Sequence, residues 1–295
     1  MRRLALALGL ALVGTALPRA QQTPFRSSVD LVPVFATVLD SGGGFRGGLT
    51  KDDFTVLDNG KPQTITSFSS ETQTVSVSLI LDTSGSMALA ESRVLHAANI
   101  FLEELRQDDR AMVGTLWFQG PPFTSDKQRL RESLGLLPRD GSSPIFSAID
   151  RALNALQNES NRRVIVMYTD GKNTVFTRGM VPRGVAVPDP AQVQDALRAR
   201  IEREGVMIYA IGFEGVPLKG DMKTMAVRSG GRAAELKRHD DLAKALAEVV
   251  DELHHQYLLG FTPQAFDGLV HKLEVRVKPR GLTVRARQSY IARGN

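Results

Sequence analysis

Four apolar, branched runs at 75–81, 111–118, 163–169 and 206–213 alternate with stretches of helical periodicity at 88–105, 127–136, 145–157 and 191–204. A further helical pattern covers 240–254. Near-continuous apolar runs belong to strands buried on both faces, and strands that alternate with helices build a mostly parallel sheet covered on both sides. Right-handed crossovers are the expected connections. The middle of the chain is thereby restricted to an α/β class. Ligands of such sheets bind beyond the carboxyl ends of the strands, so the loops that follow each run are where chemistry is expected.

The two flanks have a different character. Apolar and alternating runs occur at 29–38, 50–57 and 63–68, with Asp58-Asn59-Gly60-Lys61-Pro62 between the last two. Asn-Gly between extended runs signals a two-residue hairpin. No helix is expected in this part. After the last helical pattern, runs at 257–261, 271–278 and 282–291 return to strand character, and Lys272 to Lys278 alternates polar with apolar. Neither flank has enough strands for a core of its own. The simplest solution pairs them into one small β-sandwich with the α/β domain inserted between. The expected segments are 1–20, 21–72, 73–254 and 255–295.

Segment 1–20 reads as a secretory signal. Arg2 and Arg3 precede a stretch from Leu4 to Leu17 that is shorter than the roughly 20 residues needed to span a bilayer. Cleavage is expected near Ala20, with no stable membrane span afterwards. The formal charge of +5 then falls to about +2 as Arg2, Arg3 and Arg19 leave, too little to argue for nucleic acid. There are no cysteines, which excludes disulfides, thiolate nucleophiles, sulfur-based zinc sites and a lipoprotein anchor. A secreted or periplasmic location follows.

The first apolar run ends in Asp82-Thr83-Ser84-Gly85-Ser86-Met87. A carboxylate and two hydroxyls at alternate positions, Asp82, Ser84 and Ser86, can aim oxygens at one point, and hard divalent cations take oxygen ligands. An N-cap is the simpler use of such residues after a strand.

Asp-x-Ser-x-Ser after a strand resembles the metal-ion-dependent adhesion site of von Willebrand factor type A domains. Two further stretches carry the same resemblance. Asp140-Gly141-Ser142-Ser143-Pro144-Ile145 and the residues to Ile149 are similar to the family's Gly-x-Thr loop, which puts Ser143 at the Thr position, with Ser142 as the shifted alternative. Thr169-Asp170-Gly171 after an apolar strand matches its third loop. The resemblance implies a Rossmann-like fold and a divalent cation, Mg²⁺ ahead of Mn²⁺ or Ca²⁺, held by Asp82, Ser84, Ser86, Ser143 and Asp170. It implies one open coordination position, filled by an Asp or Glu carboxylate of a protein partner. The flanks, through Gly48-Leu49-Thr50-Lys51-Asp52-Asp53-Phe54 and Tyr257-Leu258-Leu259-Gly260-Phe261, resemble bacterial secreted "VWFA-related" proteins of the Acidobacteria type.

The expected function is therefore a non-enzymatic, exported adhesion or interaction module. The rivals are a metal-assisted hydrolase at the same site and a purely structural envelope protein. No Gly-x-Ser-x-Gly elbow or Gly-x-x-x-x-Gly-Lys-Ser/Thr loop is present. His254 and His255 read as a helix end, Trp117 and Phe118 as core residues closing a strand, and 174–190 as a loop near the metal edge, either partner-contacting or a plain surface insertion.

Overall fold

A computed structural model of the chain describes residues 31–84, 90–139, 144–169, 171, 189–212, 218, 220–238 and 241–293. The signal segment 1–20 lies outside these. Among the described residues no helix is long and apolar enough to cross a membrane.

The middle of the chain forms a five-stranded sheet from β5 (Val75–Leu81), β6 (Arg110–Thr115), β7 (Arg162–Thr169), β8 (Met207–Gly212) and β9 (Ala233–Glu235). The order is β6-β5-β7-β8-β9 and every pairing is parallel. Alternation across the pleat divides its side chains between two cores. Val75, Val77, Leu79 and Leu81 pack with Val164, Val166 and Tyr168 against α1 (Glu91–Glu104) and α6 (Asp241–His254). Ile80, Ile165, Met167 and Ile208 face α3 (Ile145–Leu156), α4 (Pro190–Glu204) and α5 (Gly220–Arg228). Residues buried on both faces explain why these strands read as continuous apolar runs. Helix ends obey local chemistry. Asp126 caps α2 (Lys127–Gly135) by accepting from the Gln128 and Arg129 amides, and Asp189 accepts from Ala191 at the start of α4.

The flanks pair with each other. One antiparallel sheet has the order β12-β1-β10-β4, from β1 (Val32–Leu39), β4 (Ser67–Ser69), β10 (Tyr257–Phe261) and β12 (Thr283–Ala286). The other is β13-β11-β2-β3, from β2 (Phe54–Asp58), β3 (Lys61–Gln63), β11 (Val270–Val277) and β13 (Ser289–Ile291). Val34, Ala36, Val56, Leu259, Phe261, Leu273 and Tyr290 share their core. Asn59 (φ 47°) and Gly60 (φ 81°) make the two-residue turn joining β2 to β3, the backbone such a turn requires.

Two links join the sandwich to the α/β body, one between β4 and β5 and one between α6 and β10. The Thr72 hydroxyl donates to the carbonyl of His254, 3.0 Å away, and so ties them together. Both lie where β5 begins, at the amino ends of the parallel strands. The carboxyl ends therefore point away from the sandwich.

Three expectations need correction. The run 63–68 is not one strand: β3 pairs with β2 while β4 pairs with β10, so the chain crosses from one sheet to the other between them. The N-terminal flank contains one 3-10 turn, Lys51–Asp53, closed by Thr50 and Asp53 in a reciprocal capping box. Trp117 and Phe118 are not core residues; each is 38% exposed. Strand β6 stops at Thr115, whose buried hydroxyl accepts from the amides of Trp117 and Phe118 and turns the chain outwards.

Candidate metal centre

Strand order fixes the place of the site. From β5 the chain goes to β6 on one side and later to β7 on the other, so the topological switch lies between β5 and β7. Crevices at such points, beyond the carboxyl ends of the strands, are where open α/β sheets take ligands. Leu81 and Tyr168 are register partners there, and the Asp82 amide donates to the Tyr168 carbonyl at 2.9 Å. Asp82 and Thr169 thus leave neighbouring strands side by side.

Asp82 is 1% exposed. Its Oδ1 accepts from the Ser84 amide at 3.0 Å, and its Oδ2 accepts from the Thr169 hydroxyl at 2.7 Å. The first bond is an Asx turn that bends the chain immediately after the strand. Thr169 is itself fully buried, and its Oγ1 accepts from the Gly171 amide at 3.1 Å. Gly171 has φ 73°, a left-handed conformation that glycine adopts without a Cβ penalty. The Thr83 hydroxyl donates to the Pro138 carbonyl at 2.9 Å, holding the Asp82 loop to the segment that leads toward α3.

A carboxylate has about four lone-pair sites, and these two bonds engage one per oxygen. Among the described residues no cationic side chain pairs with Asp82. A buried carboxylate without positive charge beside it is costly. The donors on this edge, Asp82 with the buried Ser84 and Thr169, are all hard oxygens, the chemistry that suits Mg²⁺, Mn²⁺ or Ca²⁺ rather than a thiophilic metal. Among the described residues no three His, Asp or Glu side chains converge, so Asp82 is the one acid of the set there. Ser86, Ser143 and Asp170 lie outside the described residues, as does most of 174–190. Pro144 and Ile145, which follow Ser143, start α3.

Thr169 is a residue that sequence reasoning passed over. Its signal was present, since it is the Thr of Thr169-Asp170-Gly171. The structure gives it the part of orienting the Asp82 carboxylate. His254 closes α6 as expected, with Nε2 2.8 Å from Asp109 Oδ2. Burial alone would raise the Asp109 carboxyl; bonds from His254 and from the Val75 and Arg106 amides outweigh it and hold the group below the usual carboxylate range. That pair sits at the amino ends of the strands and belongs to the framework.

The family model of the von Willebrand factor type A domain matches residues 77–172. No curated protein matches the chain. Among solved structures, a von Willebrand factor type A protein from Catenulispora acidiphila superposes with a TM-score of 0.51 at 10% identity, covering 92% of this chain and 76% of that one. An aerotolerance-related membrane protein from Bacteroides fragilis gives 0.46 at 16% identity, over 60% of this chain and 99% of that one. The pilus adhesin SpaC from Lactobacillus rhamnosus GG gives 0.49 at 10% identity, over 81% and 41% respectively. At 10% identity, the likeness to the Catenulispora acidiphila protein is one of fold alone.

Proposed function

We propose that the chain, whose residues 77–172 match the von Willebrand factor type A domain, is an exported, non-enzymatic binding module for protein–protein interaction or adhesion. It holds a divalent cation, Mg²⁺ first, through Asp82, Ser84, Ser86, Ser143 and Asp170. The observation that carries this reading is the buried Asp82 carboxylate at the sheet's switch point, oriented by Thr169 and unpaired with any cation among the described residues. When bound, the ion supplies a concentrated positive charge that can take a carboxylate from a partner protein.

The residues of the chain do the positioning. Thr169 and the Ser84 amide fix both Asp82 oxygens before any ligand arrives, which lowers the cost of ordering the site. The Thr83 bond to Pro138 keeps the Asp82 loop close to the segment leading to Ser143. The edge faces away from the sandwich. Export rests on the Arg2-Arg3 leader, and a secreted or periplasmic location goes with it.

Thermal unfolding with and without divalent ions tests the proposal. An ion at 100 times its dissociation constant adds about 2.7 kcal/mol, which is roughly 5–10 °C in Tm for a domain of this size. The wild type should gain that shift with Mg²⁺ and lose it with chelator, and Asp82→Ala should show no shift. A wild-type Tm unmoved by Mg²⁺, Mn²⁺ and Ca²⁺ would refute the metal reading.

A further inference from the structure

At the other pole of the parallel sheet, a cleft of about 580 Å³ opens between the sandwich and the amino ends of β5 and β7. Four arginines line it: Arg162 and Arg163 at the start of β7, Arg203 in the last turn of α4, and Arg287 in the turn between β12 and β13. The acids on its wall, Glu159 and Glu204, pair with arginines that do not line it. Glu159 pairs with Arg110 at 2.9 Å, and Glu204 pairs through Oε1 with Arg200 at 2.6 Å while its Oε2 is buried without a hydrogen bond. Among the described residues none of the four lining arginines is in an ion pair.

Their existing bonds go to neutral acceptors. Arg162 lies with its guanidinium 4.3 Å from the centre of the Phe35 ring and donates to the Leu253 carbonyl; its Nε is buried without a partner. Arg163 donates to the Glu204 carbonyl, and Arg287 to the carbonyls of Glu202 and Ser289. These contacts hold both guanidinium groups over the carboxyl end of α4 while leaving other N–H groups uncommitted. Arg203 is exposed and has no partner among the described residues. Gly205 makes the approach possible: at φ 64°, a Cβ there would come within 3.0 Å of Arg287 Nη1.

Unpaired guanidinium groups held in a concave wall match carboxylate and phosphate oxygens, which they bind in bidentate fashion. The volume falls in the range of small-molecule sites, about 300–1,000 Å³. We propose that this cleft is a binding site for a small, multiply charged oxyanion, a polycarboxylate or a phosphate compound. It is separate from the Asp82 edge and does not depend on the metal reading.

Isothermal titration of the metal-free full chain at low salt, with citrate in one arm and pyrophosphate in the other, tests the proposal and tells the two chemistries apart. Saturable 1:1 binding of at least one is expected. The double variant Arg163→Gln/Arg203→Gln should lose at least tenfold in affinity. Arg129→Gln/Arg131→Gln on α2, with the same change of net charge, should lose less than twofold. Circular dichroism and Tm check that each variant folds, and Ser160→Trp, at an exposed position on the cleft wall, gives a second, steric block. Absence of binding at millimolar anion, equal loss in both double variants, or binding only of polyglutamate or heparin would overturn the assignment.

Discussion

Glu252 is a buried acid that joins the two bodies of the protein, and replacing it measures how strongly they are joined. It is 2% exposed near the end of α6. Its Oε1 accepts from the Thr37 hydroxyl of β1 at 2.9 Å, from the Tyr209 phenol of β8 at 2.9 Å and from Gln256 at 3.3 Å, and pairs with Arg285 of β12. Burial and the adjacent Glu252 carboxylate keep the Tyr209 phenol protonated far above its ordinary value. In Glu252→Ala the buried Thr37 and Tyr209 hydroxyls lose an acceptor, at about 1–3 kcal/mol each. Stranding one partner of a buried ion pair costs about 3–5 kcal/mol, here reduced because the Arg285 side chain keeps 25% of its surface exposed. These costs overlap rather than add. We expect a loss of about 4 kcal/mol, and about 1–2 kcal/mol for Glu252→Gln, which keeps a carbonyl acceptor. With a urea dependence of about 3 kcal/mol/M, the alanine midpoint falls by roughly 1.3 M. Urea unfolding followed by circular dichroism reads it. A loss below about 1 kcal/mol for the alanine variant would refute the reasoning.

Two more outcomes follow from the sandwich and from its contact with the α/β body. His271 is buried with Nδ1 2.7 Å from Asp58 and Nε2 3.2 Å from Asp267; burial alone would lower its pKa, but the bonds to Asp267 and Asp58 outweigh that and raise it. Its contribution is complete below the unfolded value of about 6.5 and disappears as pH climbs through the raised folded value, so unfolding free energy should fall as pH rises above about 6.5 in the wild type and lose that slope in His271→Gln. Gly230 has φ 89° and a Cβ there would sit 2.6 Å from the Arg287 amide nitrogen, so Gly230→Ala should cost at least about 2 kcal/mol in the same urea assay.

The parallel sheet was legible because each of its four long strands is buried on both faces, which leaves an apolar run no loop could carry. The sandwich was legible more weakly, through Asn59-Gly60 and the alternation from Lys272 to Lys278. What escaped had little local signal. Helix α5 spans only Gly220–Arg228, and its apolar face is Met222, Met225 and Ala226, one turn and a fraction of the helical period. Strand β9 is three residues whose strand character comes from pairing with β8. Residues 63–68 kept an alternating pattern across a change of sheet, because alternation reports which side chains are buried and not which strand lies alongside. At the candidate centre, the position of Asp82 and Ser84 just past the carboxyl end of β5 was legible from the apolar run before them. Thr169 was not singled out, since a hydroxyl that orients an acid from the neighbouring strand depends on register, which no single stretch of sequence contains.

The direction of the strands has a consequence for charge. Strand β5 runs from the arginine-lined wall to Asp82, about 20 Å at the usual rise per residue. The cation proposed at Asp82 and the oxyanion proposed at the arginine wall would therefore be held a full strand apart, with no residue shared between their ligands.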